Sequence, residues 1–541
     1  MLYFILLIAL MAVLSPWLSR FRWSVVLFVM APLVIFILLL CQISPVVHGD
    51  FVSVRYPWMP DFGVYLSFYL DGLSLLFGIL ITGIGALIVL YSDRYLADHP
   101  QKGRFFCYLF AFMASMLGAV FSSNLISLFV FWELTSITSY LLISFNHQDE
   151  ASRRAAFQGL LVTVGGGLAM LAGFVLINLA TNHFGFNFLL HEHGVLVKSH
   201  YYTAIVILVL LGAFTKSAQF PFHFWLPNAM CAPTPVSAYL HSATMVQLGI
   251  YIVARLTPSL GHTQLWTMLL LVIPAITIVV SSVLLLRARD LKQILAYSTV
   301  IALSALFFLL APGTRASVEA AMAFLLAHAL YKAGLFLSAG NIDHATGTRD
   351  IMLLGGLRKR LPKTCVAVIL TAASMAGLPP VLGFVTKELI YEAKLMAPEL
   401  RYWLLVIVFV ANVVFVLVAM LMLFKVFWGK DKRGPGVKLA HEVTWQLWFP
   451  PLLVGFLGLL FGLLPNLIDG NLVAPALSSV LQNPMGSNLA LWHGLSMSLL
   501  LSFITIVIAV GVFFAYPRIN QYCQKQTWWD QVGPEALYQY A

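Results

Sequence analysis

Residues 216–227 read KSAQFPFHFWLP in the middle of a long apolar run. The run places Lys216 at the depth of a bilayer, where a cation is costly unless protein or water surrounds it. Five residues later, Pro221 removes a backbone donor and breaks the helix. A broken helix is tolerated inside a membrane only where protein or a wet cavity covers the freed backbone groups. The buried cation and the broken helix together indicate an ion path through a transport protein.

The composition is that of a polytopic membrane protein. Of the 541 residues, 61% are hydrophobic and 10% are charged, whereas a soluble chain of this length forms several domains with charged surfaces. The net charge of +10 is not gathered into a basic cluster with nucleic-acid-binding features, so we expect no nucleic-acid partner. The sequence contains no nucleotide or haem motif, no CxxC and no zinc spacing, so we expect no cofactor.

Apolar runs long enough to cross a bilayer recur along the whole chain. They predict an all-α fold of about fifteen transmembrane helices. The predicted spans are 2–19, 23–43, 64–91, 104–122, 124–146, 156–182, 201–227, 232–257, 265–287, 291–311, 317–341, 363–396, 401–428, 445–466 and 494–516.

The basic residues divide unevenly between the predicted loops. The loops after odd-numbered spans and the C-terminal tail hold most of the lysines and arginines. Because cytoplasmic loops are rich in these residues, the pattern predicts a bacterial-type inner membrane protein with its N-terminus outside and its C-terminus in the cytoplasm. This division assigns Arg255, Lys292 and Lys394 to loops or span ends.

Spans 4–8 and 9–13 form two predicted sets of five helices. Five is an odd number, so the second set starts from the opposite side of the membrane and the two sets are inverted. Prolines interrupt the fourth helix of each set, span 7 at Pro221 and Pro227 and span 12 at Pro379-Pro380. Such paired breaks point to a transport site. The predicted domains are the N-terminal spans at 1–103, the two half-channels at 104–257 and 265–428, and the C-terminal spans and tail at 429–541.

Titratable residues within the spans form a candidate proton path. Its members are Glu133, Lys216, His241, His328, Lys332 and Lys387. Burial brings the pKa values of lysine and glutamate toward neutral pH, where histidine already titrates. A change of charge on one member shifts the next through the low-dielectric interior. The auxiliary candidates are Asp71, His223, Glu388 and Lys425.

Each of these residues also has a structural interpretation. A buried Glu–Lys pair can neutralise a helix contact, and a membrane histidine is more often a hydrogen bond between helices. Lys425 lies near a span end, where it can snorkel, and Asp71 fits a helix end. A helical scaffold has no need of Lys216, Lys332 and Lys387 together, which favours transport.

The loop at His191-Glu192-His193, with His183 and His200 nearby, has residue types that bind metals. Loop histidines are usually solvated, and the cysteines are scattered without metal-ligand spacing. We therefore expect no metal site.

Five long motifs support a family resemblance. They read FWELTS at 131–136, KSAQFPFHFWLP at 216–227, APTPVSAYLHSATMV at 232–246, HALYKA at 328–333 and GLPP at 377–380. They resemble the proton-conducting antiporter-like subunits that respiratory complex I shares with the multisubunit Mrp-type Na⁺/H⁺ antiporters. The resemblance covers roughly residues 60–430, and IDHATGTRD at 342–350 is similar to the A-type branch of the Mrp antiporters.

The resemblance implies a function for the whole assembly. It implies that a multisubunit membrane complex uses the proton gradient to extrude Na⁺, with other small hydrophobic subunits as partners and no enzymatic chemistry. It implies a coupling pair of Glu133 and Lys216 in the first half-channel, a connection through His241, His328 and Lys332, and a second half-channel with Lys387. Relatives often carry lysine where this chain has Gln247, so one titratable step is missing or moved. Full-length A-type subunits continue well beyond 541 residues, so we expect part of the cation path outside this chain.

Two other functions stay open on the sequence. A proton-pumping subunit of a complex I-like or hydrogenase redox complex would use the same membrane core. The complex I relative carries a long lateral helix after its core, whereas residues 467–493 here are short and irregular in pattern. A coupling subunit for inorganic-carbon uptake, with a soluble zinc-bearing partner, would also share this core.

Overall fold

The computed structural model describes residues 1–21, 23–190, 193–396, 401–430, 441–492 and 494–526. In this part of the chain, 12 helices are long and apolar enough to cross a membrane. Three shorter apolar helices lie at Leu2–Leu18, Tyr202–Lys216 and Pro362–Ala376. Each of these helices coincides with a predicted span, which confirms a mostly helical, multi-pass membrane protein. The total of about fifteen spans stays a prediction.

The main elements follow the chain from end to end. The helices are α1 (Leu2–Leu18), α2 (Ser24–Leu40), α3 (Gly72–Tyr95), α4 (Lys102–Phe121), α5 (Leu125–Ile143), α6 (Glu150–Thr181), α7 (Tyr202–Lys216), α8 (Thr234–Ser242), α9 (Leu248–Leu260), α10 (Gln264–Arg287), α11 (Leu291–Leu310), α12 (Arg315–Thr346), α13 (Pro362–Ala376), α14 (Leu382–Leu395), α15 (Arg401–Met420), α16 (Trp445–Leu463), α17 (Ala474–Leu481) and α18 (Met497–Lys525). The strands are β1 (Val52–Met59) and β2 (Val64–Leu70).

Short helical turns connect these elements. They lie at Ile43–Val47, Pro60–Phe62, Phe186–Leu189, His193–Lys198, Phe222–Phe224, Trp225–Asn228, Ala229–Cys231, Met245–Gln247, Leu357–Lys359 and Asn466–Ile468, and π-helical turns lie at Leu421–Trp428 and Asp469–Val473.

A β-hairpin corrects the predicted start of span 3. β1 pairs antiparallel with β2, with Val52 opposite Leu70, so residues 64–70 are a strand and not the first turns of a helix. A short apolar run does not distinguish a strand from a helix by periodicity. α3 begins only after Asp71, whose carboxylate accepts hydrogen bonds from the Ser74 amide (3.0 Å) and hydroxyl (2.8 Å). This capping box ends the strand and starts the helix.

The fourth span of each five-helix set is interrupted, as predicted. α7 ends at Lys216, and α13 ends at Ala376 before α14 begins. Each break contains a residue in the left-handed region, Ala218 with φ 51° and Gly377 with φ 63°. A further interruption, which the sequence did not predict, separates α8 from α9 around Met245–Gln247. The domain boundaries stay a prediction, and residues 431–440 and 527–541 of the last unit lie outside the described residues.

Three basic residues assigned to loops or span ends lie in the core instead. Lys292 and Lys394 have no exposed surface, and Arg255 is 3% exposed. The distribution of basic residues among the loops indicates near which end of a helix a cation lies, but not how deeply its side chain is buried. These residues therefore belong with the buried cations of the site.

Residues 466–481 correct the expectation of an irregular segment after span 14. They form helical turns and α17, which approach the start of α3 closely. A Cβ atom at Gly72 would lie 2.2 Å from the Pro475 carbonyl carbon, so only glycine allows this contact.

Candidate ion-transport site

The first cluster surrounds Lys216 at the end of α7. Its ammonium is buried and donates to the Trp132 carbonyl (3.2 Å) and the Ser136 hydroxyl (2.8 Å) on α5. It also lies 5.1 Å from the centre of the Trp132 ring. Glu133 follows Trp132 on α5, yet among the described residues no ion pair within 4 Å joins its carboxylate to Lys216. The two charges share a cluster without direct contact.

Small residues of α6 make room for this cluster. A Cβ atom at Gly167 would lie 1.8 Å from Oε1 of Glu133, and one at Gly166 would lie 1.8 Å from Oγ1 of Thr215. In contrast, a Cβ atom at Gly165 would meet nothing within 4 Å. The run of three glycines is visible in the sequence, but the predicted site was chosen from titratable residues alone and did not include it.

His241 of α8 is buried beside two aromatic rings. It has no exposed surface, and neither ring nitrogen has a hydrogen-bond partner among the described residues. Its ring lies 6.4 Å from that of Trp225 and 6.3 Å from that of Phe336. The indole of Trp225 donates to the carbonyl of Thr215 (3.0 Å), the residue before Lys216. Trp225 therefore connects the first cluster with His241.

Gln247 lies at the interruption between α8 and α9, where it contacts His328. Its amide nitrogen donates to the Ser242 carbonyl and lies 3.0 Å from Nδ1 of His328. Nε2 of His328 is buried without a partner in the described structure. Gln247 thus contacts His328, but its amide does not gain or lose a proton as a lysine can.

Lys332 lies one turn after His328 on α12 and repeats the contacts of Lys216. Its ammonium donates to the Leu295 carbonyl (2.9 Å) and the Ser298 hydroxyl (2.5 Å) on α11. α5 and α11 are the second helices of the two five-helix sets. Each set therefore offers a carbonyl and a hydroxyl to one buried lysine.

Adjacent residues of α14 face different neighbours. Lys387 donates to the Ala376 carbonyl (3.2 Å) across the break. Glu388 instead accepts hydrogen bonds from Ser498 (2.6 Å) and Ser502 on α18. The structure thus links the second broken helix with the last described helix of the chain.

Two buried lysines were missed by the sequence reasoning. Lys292 donates to the Ala232 carbonyl (2.5 Å), and Lys394 donates to the Phe308 carbonyl (3.0 Å) and lies 4.8 Å from its ring. Lys394 follows Lys387 by seven residues, and this spacing places both on one face of α14. That periodicity could have identified Lys394, whereas Lys292 resembled a loop residue beside a helix start.

Asp71 has a structural partner. Arg255 binds its carboxylate through two hydrogen bonds of 2.5 and 2.9 Å, and the Tyr251 hydroxyl accepts from the same guanidinium. The pair is buried, with side-chain exposures of 3% and 9%. Together with its capping of α3, this contact places Asp71 apart from the row of lysines and histidines.

The other auxiliary candidates occupy two separate places. His223 lies at the first break, stacked 6.0 Å from the Phe220 ring, with Nδ1 buried and unpartnered in the described structure. Lys425 lies on a π-helical turn, 3.2 Å from the sulfur of Met352 and 5.7 Å from the Tyr516 ring. Lys425 therefore packs against the turn that contains Met352 and against α18.

The described residues contain no group of three or more His, Cys, Asp or Glu side chains placed to hold a metal ion. Three members of the candidate loop site, His191, Glu192 and the side chain of His193, lie outside the described residues.

A family model described as "NADH:quinone oxidoreductase/Mrp antiporter, TM" matches residues 122–416, more than half of the chain. The chain belongs to this family. A second family model, described as the N-terminus of complex I chain 5, matches residues 58–106. Together, the two family models cover most of the hairpin, both broken spans and every candidate residue of the proton path.

Named relatives in the family are similar over nearly the whole chain. The A subunit of the Na⁺/H⁺ antiporter of Alkalihalophilus pseudofirmus is 41% identical over 93% of this chain and 66% of its own length. The A1 subunit of the Na⁺/H⁺ antiporter of Staphylococcus aureus is 38% identical over 92% of this chain and 64% of its own. A chain in the Mrp complex structure from a Dietzia species superposes with a TM-score of 0.86 at 33% identity, covering 97% of this chain and 56% of that one. The chain thus spans less than two thirds of each relative.

Proposed function

We propose that this chain is the proton-translocating subunit of a multisubunit monovalent cation (Na⁺)/H⁺ antiporter, and that it is part of a transporter rather than an enzyme. The main observation behind the proposal is a set of buried lysines that donate to carbonyls and hydroxyls, with buried histidines in the same part of the fold. Lys216, Lys332 and Lys387 each donate to a backbone carbonyl of a neighbouring segment. A carbonyl accepts from either protonation state of an amine, so a lysine held this way can lose and regain its proton in place. The names of the relatives supply Na⁺ as the exchanged ion.

In this proposal the candidate residues divide between two half-channels and a connection between them. Glu133 and Lys216 lie in the first half-channel, and Lys387 lies in the second. Both ring nitrogens of His241 are without a hydrogen-bond partner in the described structure, and His328 and Lys332 share one face of α12. A charge that leaves one member changes the energy of the next through the poorly screened interior. A proton that crosses the full potential gains about 2.3 kcal/mol per 100 mV, which is the driving force for Na⁺ extrusion.

The proposal includes an orientation and partners. We place the N-terminus outside and the C-terminus in the cytoplasm of a bacterial-type inner membrane, with the two inverted sets at 104–257 and 265–428 as half-channels. Other small hydrophobic subunits and the remaining length of the relatives would complete the cation path.

A lysine substitution tests the proposal in the assembled complex. Lys216→Ala removes the cation of the first half-channel, and we expect Na⁺-induced proton flux in everted vesicles to fall by at least about 100-fold, the scale of a lost proton-transfer group. Lys359→Ala removes an exposed lysine and should leave the flux unchanged. Flux at the unsubstituted rate in Lys216→Ala, with the complex assembled in normal amounts, would contradict the role of Lys216.

A redox complex is the second candidate, because both family-model descriptions name complex I or its quinone oxidoreductase activity. The proteins that co-purify from native membranes in mild detergent distinguish the two. Small hydrophobic subunits without cofactors support the antiporter, whereas flavin or iron–sulfur subunits would assign the proton path to a redox pump. A soluble zinc protein would assign it to inorganic-carbon uptake.

A further inference from the structure

The buried carboxylate of Glu388 is connected to the protein surface by two serines. Ser498 of α18 is 7% exposed and donates to Oε2 of Glu388 over 2.6 Å. The hydroxyl of Ser498 lies 2.7 Å from that of Ser496, a residue that is partly exposed at the start of α18. Three oxygens in hydrogen-bond contact thus lead from the interior to the end of a transmembrane helix.

The direction of the hydrogens follows from counting donors. A serine hydroxyl has one hydrogen, and an ionised carboxylate only accepts. Ser498 donates its one hydroxyl hydrogen to Glu388, so Ser496 is the donor in the contact between the two serines. The oxygen of Ser496 accepts from the Leu499 amide (3.2 Å) as the N-cap of α18. Both hydroxyls therefore point inward, toward the carboxylate.

We propose that Ser496 and Ser498 form a hydroxyl relay that carries protons between Glu388 and the aqueous side where α18 begins. The relay rests on the proposed function and supplies its second half-channel with a connection to water. In the orientation proposed above, this is the outer side, from which an antiporter takes up protons.

Each proton transfer leaves both serines intact. A hydronium ion gives a proton to Oγ of Ser496 and becomes water, Ser496 passes its own hydrogen to Oγ of Ser498, and Ser498 passes its hydrogen to Oε2 of Glu388. One O–H bond forms and one breaks at each serine, and the carboxylate becomes a neutral acid. The hydroxyls then point outward, and rotation about their Cβ–Oγ bonds restores them for the next proton.

Ser502 provides a matched comparison within the same site. It is 3% exposed and donates to the other oxygen of Glu388. In the described part of the chain its hydroxyl contacts no other hydroxyl, so Ser502 does not connect Glu388 to the surface. Hydrogen bonds that only hold α18 against α14 make Ser498 and Ser502 equivalent, whereas a relay needs Ser498 alone.

The test compares the two serines in the whole complex. Na⁺-induced proton flux is measured in everted vesicles and divided by the amount of assembled complex. We expect Ser498→Ala to slow the flux at least about 10-fold, because Ser498 transfers protons. We expect the effect of Ser502→Ala to be at least about 5-fold smaller, because that change alters only how Glu388 is held. Ser498→Thr keeps the hydroxyl and should restore most of the flux.

A second variant covers a failure of assembly. Ser498→Cys keeps the shape of the side chain but offers a weak donor, and it should also be slow. Equal effects of Ser498→Ala and Ser502→Ala, or a full rate in Ser498→Cys, would overturn the relay. A complete lack of Na⁺-dependent flux in the unsubstituted complex would instead overturn the proposed antiport, so the two failures are distinguishable.

Discussion

At the scale of single residues, the position of the Glu133 carboxylate depends on a glycine of a neighbouring helix. Gly167 of α6 leaves the space that Oε1 of Glu133 occupies. That oxygen is buried and has no hydrogen-bond partner in the described structure. Its place is therefore set by the shape of the cavity rather than by a bond.

We expect Gly167→Ala to displace the Glu133 carboxylate and to lower Na⁺-induced proton flux by at least about 10-fold, since misplaced proton-transfer groups lose most of their effect. The matched control is Gly165→Ala, two residues earlier on α6, where a new Cβ meets nothing within 4 Å. Both substitutions raise helix propensity equally. Equal flux in the two variants would show that the position of the carboxylate does not matter.

The sequence identifies which residues titrate, but not what they touch. Lys216 is buried in the protein, yet its carbonyl and hydroxyl partners lie 84 and 80 residues away in the chain. Ser498 and Ser502 looked like ordinary polar residues of a span until the fold placed them against Glu388. A contact between distant segments leaves no local pattern to read.

At the scale of elements, two consecutive helices, α12 and α13, each end at a glycine in the left-handed region. Gly377 follows α13 with φ 63°, and a Cβ atom there would lie 2.8 Å from Cε of Lys387. Gly347 follows α12 with φ 75° and is the C-cap of that helix. The two glycines share a backbone requirement, and Gly377 also shapes the site around Lys387.

Alanine at these two glycines separates strain from function. Each substitution places a Cβ atom in the left-handed region, at a cost of about 1–2 kcal/mol. We expect Gly347→Ala to lower the thermal stability of the complex and to keep its flux per assembled complex. Gly377→Ala should also displace Lys387 and slow the flux by about 10-fold or more. The prediction fails if both variants transport at the same rate.

Prolines predicted two of the interruptions because a missing donor is visible in the sequence. The interruption at Met245–Gln247 contains no proline, so nothing local announced it. The hairpin before α3 was hidden for another reason, since aromatic and aliphatic residues suit a strand and a membrane helix alike.

At the scale of the whole molecule, the buried pair of Asp71 and Arg255 fastens the N-terminal spans to the first five-helix set. Removing one member of a buried ion pair costs about 3–5 kcal/mol, because the other charge is left uncompensated.

We expect Asp71→Asn to reduce the amount of assembled complex in membranes while leaving the flux of each remaining complex near normal. The control is Asp93→Asn at the other end of α3, where the pair with Lys102 is 23% and 21% exposed and is worth at most about 1 kcal/mol. A normal amount of complex with lost flux would instead place Asp71 in the proton path.

The proposed orientation is tested with single cysteines in a chain whose native cysteines are replaced. Arg55→Cys on the exposed face of β1 should react with an impermeant maleimide in right-side-out vesicles. Arg358→Cys, also exposed, should react only in everted vesicles. The uneven distribution of cations supports this outcome, and the reverse labelling would invert the proposed topology.

The attachment of α18 has a practical consequence for anyone who isolates this protein. The face of α18 that points away from the protein exposes large apolar residues such as Leu500, Phe503 and Val507. The opposite face contacts the protein through the hydroxyls of Ser498 and Ser502 and the amide of Asn520. In lipid, such polar contacts are a main source of helix association. Short-chain detergents, which admit water to these contacts, should therefore release α18 before the core loosens. We expect such a preparation to look intact by size and to be inactive, so lipid nanodiscs are the safer choice.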